Sequence, residues 1–232
     1  MKEFNVKFGI IGIDHRHIYT QAQFLIELGA ELVGWYTEGS PTTLDGFIKR
    51  FPKVKRFTDP RTLLEDQNIQ VILTSAVPSE RAKISISAMK HGKDVMSDKP
   101  GCLSFSDLEQ LRQTVQQTGR IWSIDFSERF EVPAVTLASQ LVSEGAIGDV
   151  IHTLGLGPHR LNANSRPNWF FDPNKNGGIL ADIGSHQIDQ FLYFTKSERA
   201  EITLASIRNM GHKEFTNFSD FGEIALRSEK AN

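Results

Sequence analysis

The sequence predicts an α/β protein: an N-terminal Rossmann domain with a doubly wound parallel sheet, followed by a smaller α+β domain that reads as shortened. Three observations carry this. Short β-branched, apolar runs alternate with helical stretches as far as Ser127, the sign of βαβ units joined by right-handed crossovers. Two of those runs, NVKFGIIGI at 5–13 and IQVILTS at 69–75, are apolar almost throughout, as strands buried on both faces are. After Ser127 the rhythm changes to helix, strand, long polar loop, helix and two further strands, the pattern of helices covering a mostly antiparallel sheet. The domains are placed at 1–127 and 128–232.

In order, the strand at 5–13 leads to a helix with Ile18, Phe24, Leu25 and Leu28 on its apolar side, stopping at Gly29, a usual C-cap residue. Residues 30–36 form the second strand, 42–51 a helix ended by Pro52, and 54–57 a short strand. A short helix at 62–65 precedes the strand at 69–75. The helix at 79–91 turns Ile84, Ala88 and Met89 to the core before Gly92 closes it. Val95 and Met96 belong to a short strand, Ser104 opens a helix that Gly119 stops, and 121–126 is the domain's last strand. Beyond it come a helix at 132–144, a strand at 150–156, a loop at 157–178, a helix at 179–194, and strands at 200–208 and 221–226.

Hydrophobic residues make up 39% of the 232, charged residues 23%, and the net charge is −2, an ordinary soluble composition. It lacks the basic footprint of a nucleic-acid binder. The single cysteine, Cys102, fits a reducing compartment. No run approaches the ~20 apolar residues of a membrane span. The first apolar run starts by Val6 and meets glycines at once, unlike a secretory signal. A cytoplasmic protein with no membrane and no nucleic-acid partner is expected.

In a doubly wound sheet, ligands bind beyond the carboxyl ends of the strands. The first strand–helix turn cradles pyrophosphate and carries GxGxxG. Here Gly12-Ile13-Asp14-His15-Arg16-His17 keeps only the first glycine. A carboxylate at Asp14, ~4 Å from a phosphate charge, would repel it by about 4 kcal/mol at an effective dielectric near 20. Asp14 tolerates positive φ better than most residues, and a turned-away side chain or Arg16 would offset the charge. Dinucleotide contacts are expected from Gly12, Ile13, Asp14, His15 and Arg16, and from Ser75 and Ala76 after the 69–75 strand. Thr37 takes the place where an acidic residue usually binds the ribose hydroxyls and favours NAD, with Glu38 next. A neutral Thr37 admits NADP while Glu38 repels its extra phosphate, so NAD and NADP both stay open. His15 and His17 suggest a metal pair, but no third ligand follows at zinc spacing and no metal is assigned.

Past the fifth strand the chain reads Asp98-Lys99-Pro100. Further on stands Asn176-Gly177-Gly178-Ile179-Leu180-Ala181-Asp182-Ile183-Gly184-Ser185-His186. In this order, behind the strand–helix pattern, these motifs resemble the Gfo/Idh/MocA oxidoreductase family (glucose–fructose oxidoreductase, inositol dehydrogenase and relatives). That family usually carries Glu-Lys-Pro at the first motif, so Asp98 is a conservative departure. At the second it carries a glycine-rich turn and a DxGxxxH-type helix, here spaced Asp-x-Gly-x-His. SERF at 127–130, Gly145 to Gly148 and Trp169 fall where relatives have similar segments, and the resemblance covers essentially the whole chain. It implies Lys99, Asp182 and His186 as catalytic residues and Asp98 and Lys99 beside the cofactor. It also implies NAD or NADP, and hydride exchange with a hydroxyl of a sugar, inositol or related polyol.

The residue types agree with those roles. Asp182 and His186 are four apart and share one helix face, so the carboxylate can orient the imidazole, a base whose ordinary pKa of about 6.5 suits proton abstraction. Lys99 precedes a proline, which restricts its backbone, and its cation would steady alkoxide charge. His159, Arg166 and Trp169, with Arg160, offer forked donors and aromatic faces for a carbohydrate pocket beside Lys99, Asp182 and His186. Singly, each has a plainer reading as a solvated lysine, a capping pair or an ordinary polar loop. Arg81 receives no role.

Relatives run longer, with a second-domain sheet that packs on another subunit. Here the chain reaches Ala231-Asn232 soon after FGEIAL at 221–226. An unpaired strand edge tends to associate, so a homo-oligomer is expected. The alternative function is a non-catalytic dinucleotide- or sugar-binding regulator on the same scaffold, motivated by the altered phosphate turn and short second domain.

Overall fold

The computed structural model describes residues 6–230 and divides into two compact units, one ending at Asp125 and the other beginning at Phe126. Asn5 of the first predicted strand, and Ala231–Asn232, lie outside the described residues.

The N-terminal unit runs β1 (Lys7–Ile11), α1 (Ile18–Glu27), β2 (Glu31–Tyr36), α2 (Leu44–Arg50), β3 (Lys55–Arg56), α3 (Arg61–Glu65), β4 (Val71–Thr74), α4 (Pro78–Lys90), β5 (Asp94–Asp98), α5 (Phe105–Thr118) and β6 (Trp122–Asp125). Its strands form one parallel sheet in the order β3-β2-β1-β4-β5-β6. The chain starts in the middle, winds outward through β2 and β3, then returns to β4 and winds the other way. The switch point therefore lies between β1 and β4, where the following loops part.

Side chains alternate across a strand, and the core follows that period. Phe8 and Ile10 of β1 and Leu73 of β4 join Ile18, Trp35 and Phe47 in one apolar cluster. Ile11 and Ile72, one residue out of step, join Leu63, Met89, Val95 and Leu111 in another. Each such burial contributes about 1.5–3 kcal/mol. Helix ends follow local chemistry: Pro78 opens α4, Ser104 Oγ accepts the Asp107 N–H at 3.0 Å, and Gly119 caps α5 at φ +64°. The expected apolar side of α1 is corrected. Ile18, Gln21 and Ala22 are buried, whereas Phe24 and Leu28 are exposed. At 100° per residue Leu25 returns to the Ile18 face and Phe24 and Leu28 do not.

The C-terminal unit contains α6 (Ser127–Phe130), α7 (Pro133–Ser143), α8 (Pro173–Asn176), α9 (Ser185–Phe194) and the antiparallel pair β7 (Ala200–Arg208) and β8 (Phe221–Ser228). Three expectations change here. Residues 150–156 form no strand: β8 pairs with β7 alone, and Ile151, Leu154 and Leu156 stand exposed. A β-branched and apolar run without a partner ladder does not make a strand. The helix at 179–194 opens with a π-helical turn, Leu180–Gly184, before α9. The loop at 157–178 holds two 3₁₀ turns, Ala163–Ser165 and Asn168–Phe171, besides α8. Among the described residues, no apolar side chain after Asp125 is fully buried. Phe171 stacks on Phe215 at 3.9 Å with Phe170 and Phe218 alongside. Among the described residues, no helix is long and apolar enough to cross a membrane.

Candidate functional site

The first strand–helix turn is closed by backbone bonds. Gly12 N–H donates to Tyr36 O at 2.8 Å, Ser75 N–H to Gly12 O at 3.1 Å, and His15 N–H to Ser75 O at 2.8 Å. Gly12 has φ +84°, and a Cβ there would lie 2.4 Å from the Ala76 Cβ, so the first glycine is obligatory. The other two fingerprint positions work differently. Asp14 needs no positive φ: outside glycine, only Asn162 and Lys196 adopt one among the described residues. His17 sits at φ −58°, already helical.

Side chains tie this turn to β5. His15 Nδ1 lies 2.8 Å from Asp98 Oδ2, and His17 Nδ1 lies 2.9 Å from Asp98 Oδ1. Arg81, 1% exposed, donates from Nη2 to Asp98 Oδ2 at 3.0 Å and from Nε to Ala76 O at 2.8 Å. Its Nη1 donates to Lys99 O and to Pro100 O. Burial alone would raise the Asp98 carboxyl; Arg81, then His15 and His17, outweigh it and hold the group well below the ordinary carboxylate range. Burial pushes His15 down to about 4 against the pull of Asp98. His15 is therefore neutral near pH 7, and with an acceptor-only carboxylate beside it, Nδ1 carries the proton. Arg81 is the fixed positive charge of the group. One ligand atom from each of His15, His17 and Asp98 lies within 4.8 Å of the others. Asp98 is thus the third member that spacing did not reveal, from 81 residues beyond His17. Both its oxygens already accept side-chain donors, and the Arg81 guanidinium lies against the same carboxylate, so the four side chains form one ion-pair hub.

Other predicted cofactor residues are redistributed. Burial raises the Asp14 carboxyl, opposed by its own N–H, by Arg81 and by the Val77 N–H. The cation acting on it is Arg81, and Arg16 is exposed. Ile13 is a core side chain, and its carbonyl accepts from Thr43 Oγ1. Thr37 is buried. The acid at the β2 tip is instead Glu38, which lines a cavity of about 330 Å³ with Gly12, Asp14, Tyr36, Ala76 and Val77. That cavity opens at the carboxyl ends of β1, β2 and β4. An apolar floor ringed by the carboxylates of Asp14, Glu38 and Glu80 and by Lys83 suits a nucleoside. Ser75 Oγ donates to Gln21 Oε1 at 3.0 Å, and Gln21 Nε2 to Asp125 Oδ2 at 2.9 Å. Lys99 is 4% exposed. Gln21 and Asp125 were not singled out in the sequence, and no motif marks them.

In the C-terminal unit, His186 lies in the first turn of α9, 3% exposed, with Phe126 edge-on at 6.2 Å. Asp182 lies on the π-helical turn, the kind of irregularity often found at functional sites. The SERF segment braces this helix. Arg129 grips Asp189 with two bonds of 2.5 and 2.9 Å, and Gln187 Nε2 donates to Glu128 Oε2 at 3.1 Å. His159 is half-exposed, its Nε2 3.5 Å from Glu128 Oε1. Arg166 donates from Nε to Leu161 O at 2.9 Å and covers Phe170 at 4.5 Å. The Trp169 ring lies 6.2 Å from that of Phe170. Arg166 and Trp169 thus contact their own loop.

A switch-point cavity, a closed phosphate turn and a buried lysine after β5 define the N-terminal unit as a dinucleotide-binding Rossmann domain. The chain belongs to the Gfo/Idh/MocA family: residues 6–126 match the oxidoreductase family's NAD-binding Rossmann fold, and 135–231 match the GFO/IDH/MocA C-terminal domain. It is 30% identical over 72% of its length to scyllo-inositol 2-dehydrogenase (NAD(+)) of Bacillus subtilis, covering 46% of that protein. It is 28% identical over 67% of its length to levoglucosan dehydrogenase of Pseudarthrobacter phenanthrenivorans, covering 40%. A crystal structure assigned as an oxidoreductase from Erwinia carotovora atroseptica superposes with a TM-score of 0.94 at 37% identity, over 97% of this chain and 67% of that one. The chain thus spans less than half the length of these two curated relatives.

Proposed function

We propose that the protein is an NAD-dependent oxidoreductase that exchanges hydride with a CH–OH group of a sugar, inositol or related polyol, with Lys99, Asp182 and His186 carrying the chemistry. The observation that supports this most is Lys99. It is a cation buried to 4% exposure directly after β5, at the sheet edge where dinucleotides lie. The bound nicotinamide supplies the hydride acceptor. His186 takes the substrate hydroxyl proton, Asp182 orients its ring, and the Lys99 ammonium holds the oxygen as negative charge develops. Glu38 accepts from the adenosine ribose hydroxyls and repels a 2′-phosphate, which favours NAD. The inositol and levoglucosan dehydrogenases among its relatives support the substrate class. Exposed Ile202, Leu204 and Ile207 on β7 support a homo-oligomer, checked by light scattering.

Turnover of a polyol panel with NAD and NADP tests the reading. Lys99→Ala and His186→Ala are each expected to lower kcat/KM by about 100-fold or more; undiminished kcat/KM in either rejects the assignment. The regulatory alternative is favoured by the absence of buried apolar side chains after Asp125 among the described residues. It predicts NADH binding without turnover of any panel member.

A further inference from the structure

Arg81 has no role in the proposed chemistry, yet it is wholly buried and its donors reach two segments at once: Ala76 after β4, and Asp98, Lys99 and Pro100 at the end of β5. Through Asp98 it reaches a third, because that carboxylate holds His15 and His17 of the turn after β1. These are three of the loops that border the dinucleotide end of the sheet. Two of the three fingerprint glycines in that turn are replaced by Asp14 and His17. Both replacements answer to the same guanidinium: His17 through Asp98, and Asp14 through the charge of Arg81.

We propose that Arg81 is a positioning residue for dinucleotide binding, and that the Arg81–Asp98–His15/His17 hub substitutes for the missing glycines. A glycine turn approaches pyrophosphate because it has no side chains in the way. Here the side chains stay and are tied back, His17 onto Asp98 and Asp14 onto the Val77 N–H. Arg81 keeps Asp98 ionised to receive both imidazoles. Its forked donors also hold the Lys99 backbone, which a lysine's single ammonium cannot do in the same geometry. The proposal rests on the dinucleotide reading of the N-terminal unit.

The test is NADH binding by the full chain, followed by fluorescence titration, with thermal unfolding recorded for every variant. Arg81→Met is expected to weaken NADH binding by about tenfold or more, since misplacement by ~1 Å has effects of that order. Restoring the fingerprint with Asp14→Gly and His17→Gly is expected to shrink that Arg81→Met penalty below about threefold. A merely structural Arg81 would lower the unfolding temperature equally in both backgrounds and leave the binding penalty unchanged. Should Arg81→Met not fold, Arg81→Lys and His17→Gln replace it, and each is expected to weaken NADH binding. An equal penalty in both backgrounds, or undiminished binding in Arg81→Lys and His17→Gln, overturns the positioning role alone. A wild-type chain that binds no NADH overturns the dinucleotide reading itself.

Discussion

Acidification from pH 7.5 to 5 will weaken the N-terminal unit through His15. Its folded pKa is about 4 against an ordinary 6.5, so between those values the unfolded chain takes a proton that the folded chain refuses. Stability therefore falls as pH drops below about 6.5, and the loss is complete near 4. The gap from 6.5 to about 4, at about 1.4 kcal/mol per pH unit, amounts to about 3 kcal/mol, of which about 2 is lost by pH 5. With 19% of the side chain accessible, solvent trims the figure without changing its sign. Asp98 adds no slope in this window. A depressed carboxylate stabilises above its unfolded pKa, and that stability is lost only as pH falls through the lower folded value. Urea midpoints at pH 7.5, 6 and 5, followed by tryptophan emission, measure the effect. The gap between wild type and His15→Gln should narrow by about 2 kcal/mol across the range, because glutamine does not titrate. Parallel curves would refute the buried neutral imidazole.

Three further outcomes follow from the geometry. Glu38→Ser should raise the NADPH-to-NADH preference by about tenfold, roughly one relieved charge contact at the cavity rim, measured as a ratio of dissociation constants. Gly12→Ala should cost more than about 2 kcal/mol in urea unfolding, since both the 2.4 Å approach to the Ala76 Cβ and φ +84° oppose it. Arg129→Ala should cost about 1.5–3 kcal/mol by removing a charged pair of bonds to Asp189, and amide exchange in α9 should quicken.

Much of this was legible in the sequence because it is periodic or punctuated. The strand–helix alternation, the Ser104 cap and the Gly119 stop are local signals, and the structure keeps all of them. Residues 150–156 read as a strand but have no described strand to pair with, which no single segment can reveal. Glu38 rather than Thr37 faces the cavity, because past the end of β2 the chain buries Thr37 between Tyr36 and Glu38, which both line it. The ion-pair hub was invisible for a different reason. Arg81 stands 17 residues from Asp98 and His15 stands 83 from it, and neither distance has a period. Only the order of the six strands brings those loops to one edge.

The two sheets differ in how they end. In the N-terminal unit the two outermost strands, β3 and β6, are only two and four residues long, too short to seed a neighbour. β7 and β8 run nine and eight residues, and neither offers its outer rail to another described strand. Self-association on storage will therefore recruit 200–228 first, and a lysine placed mid-strand at Ile224 would blunt it while the nucleotide-binding half keeps its shape.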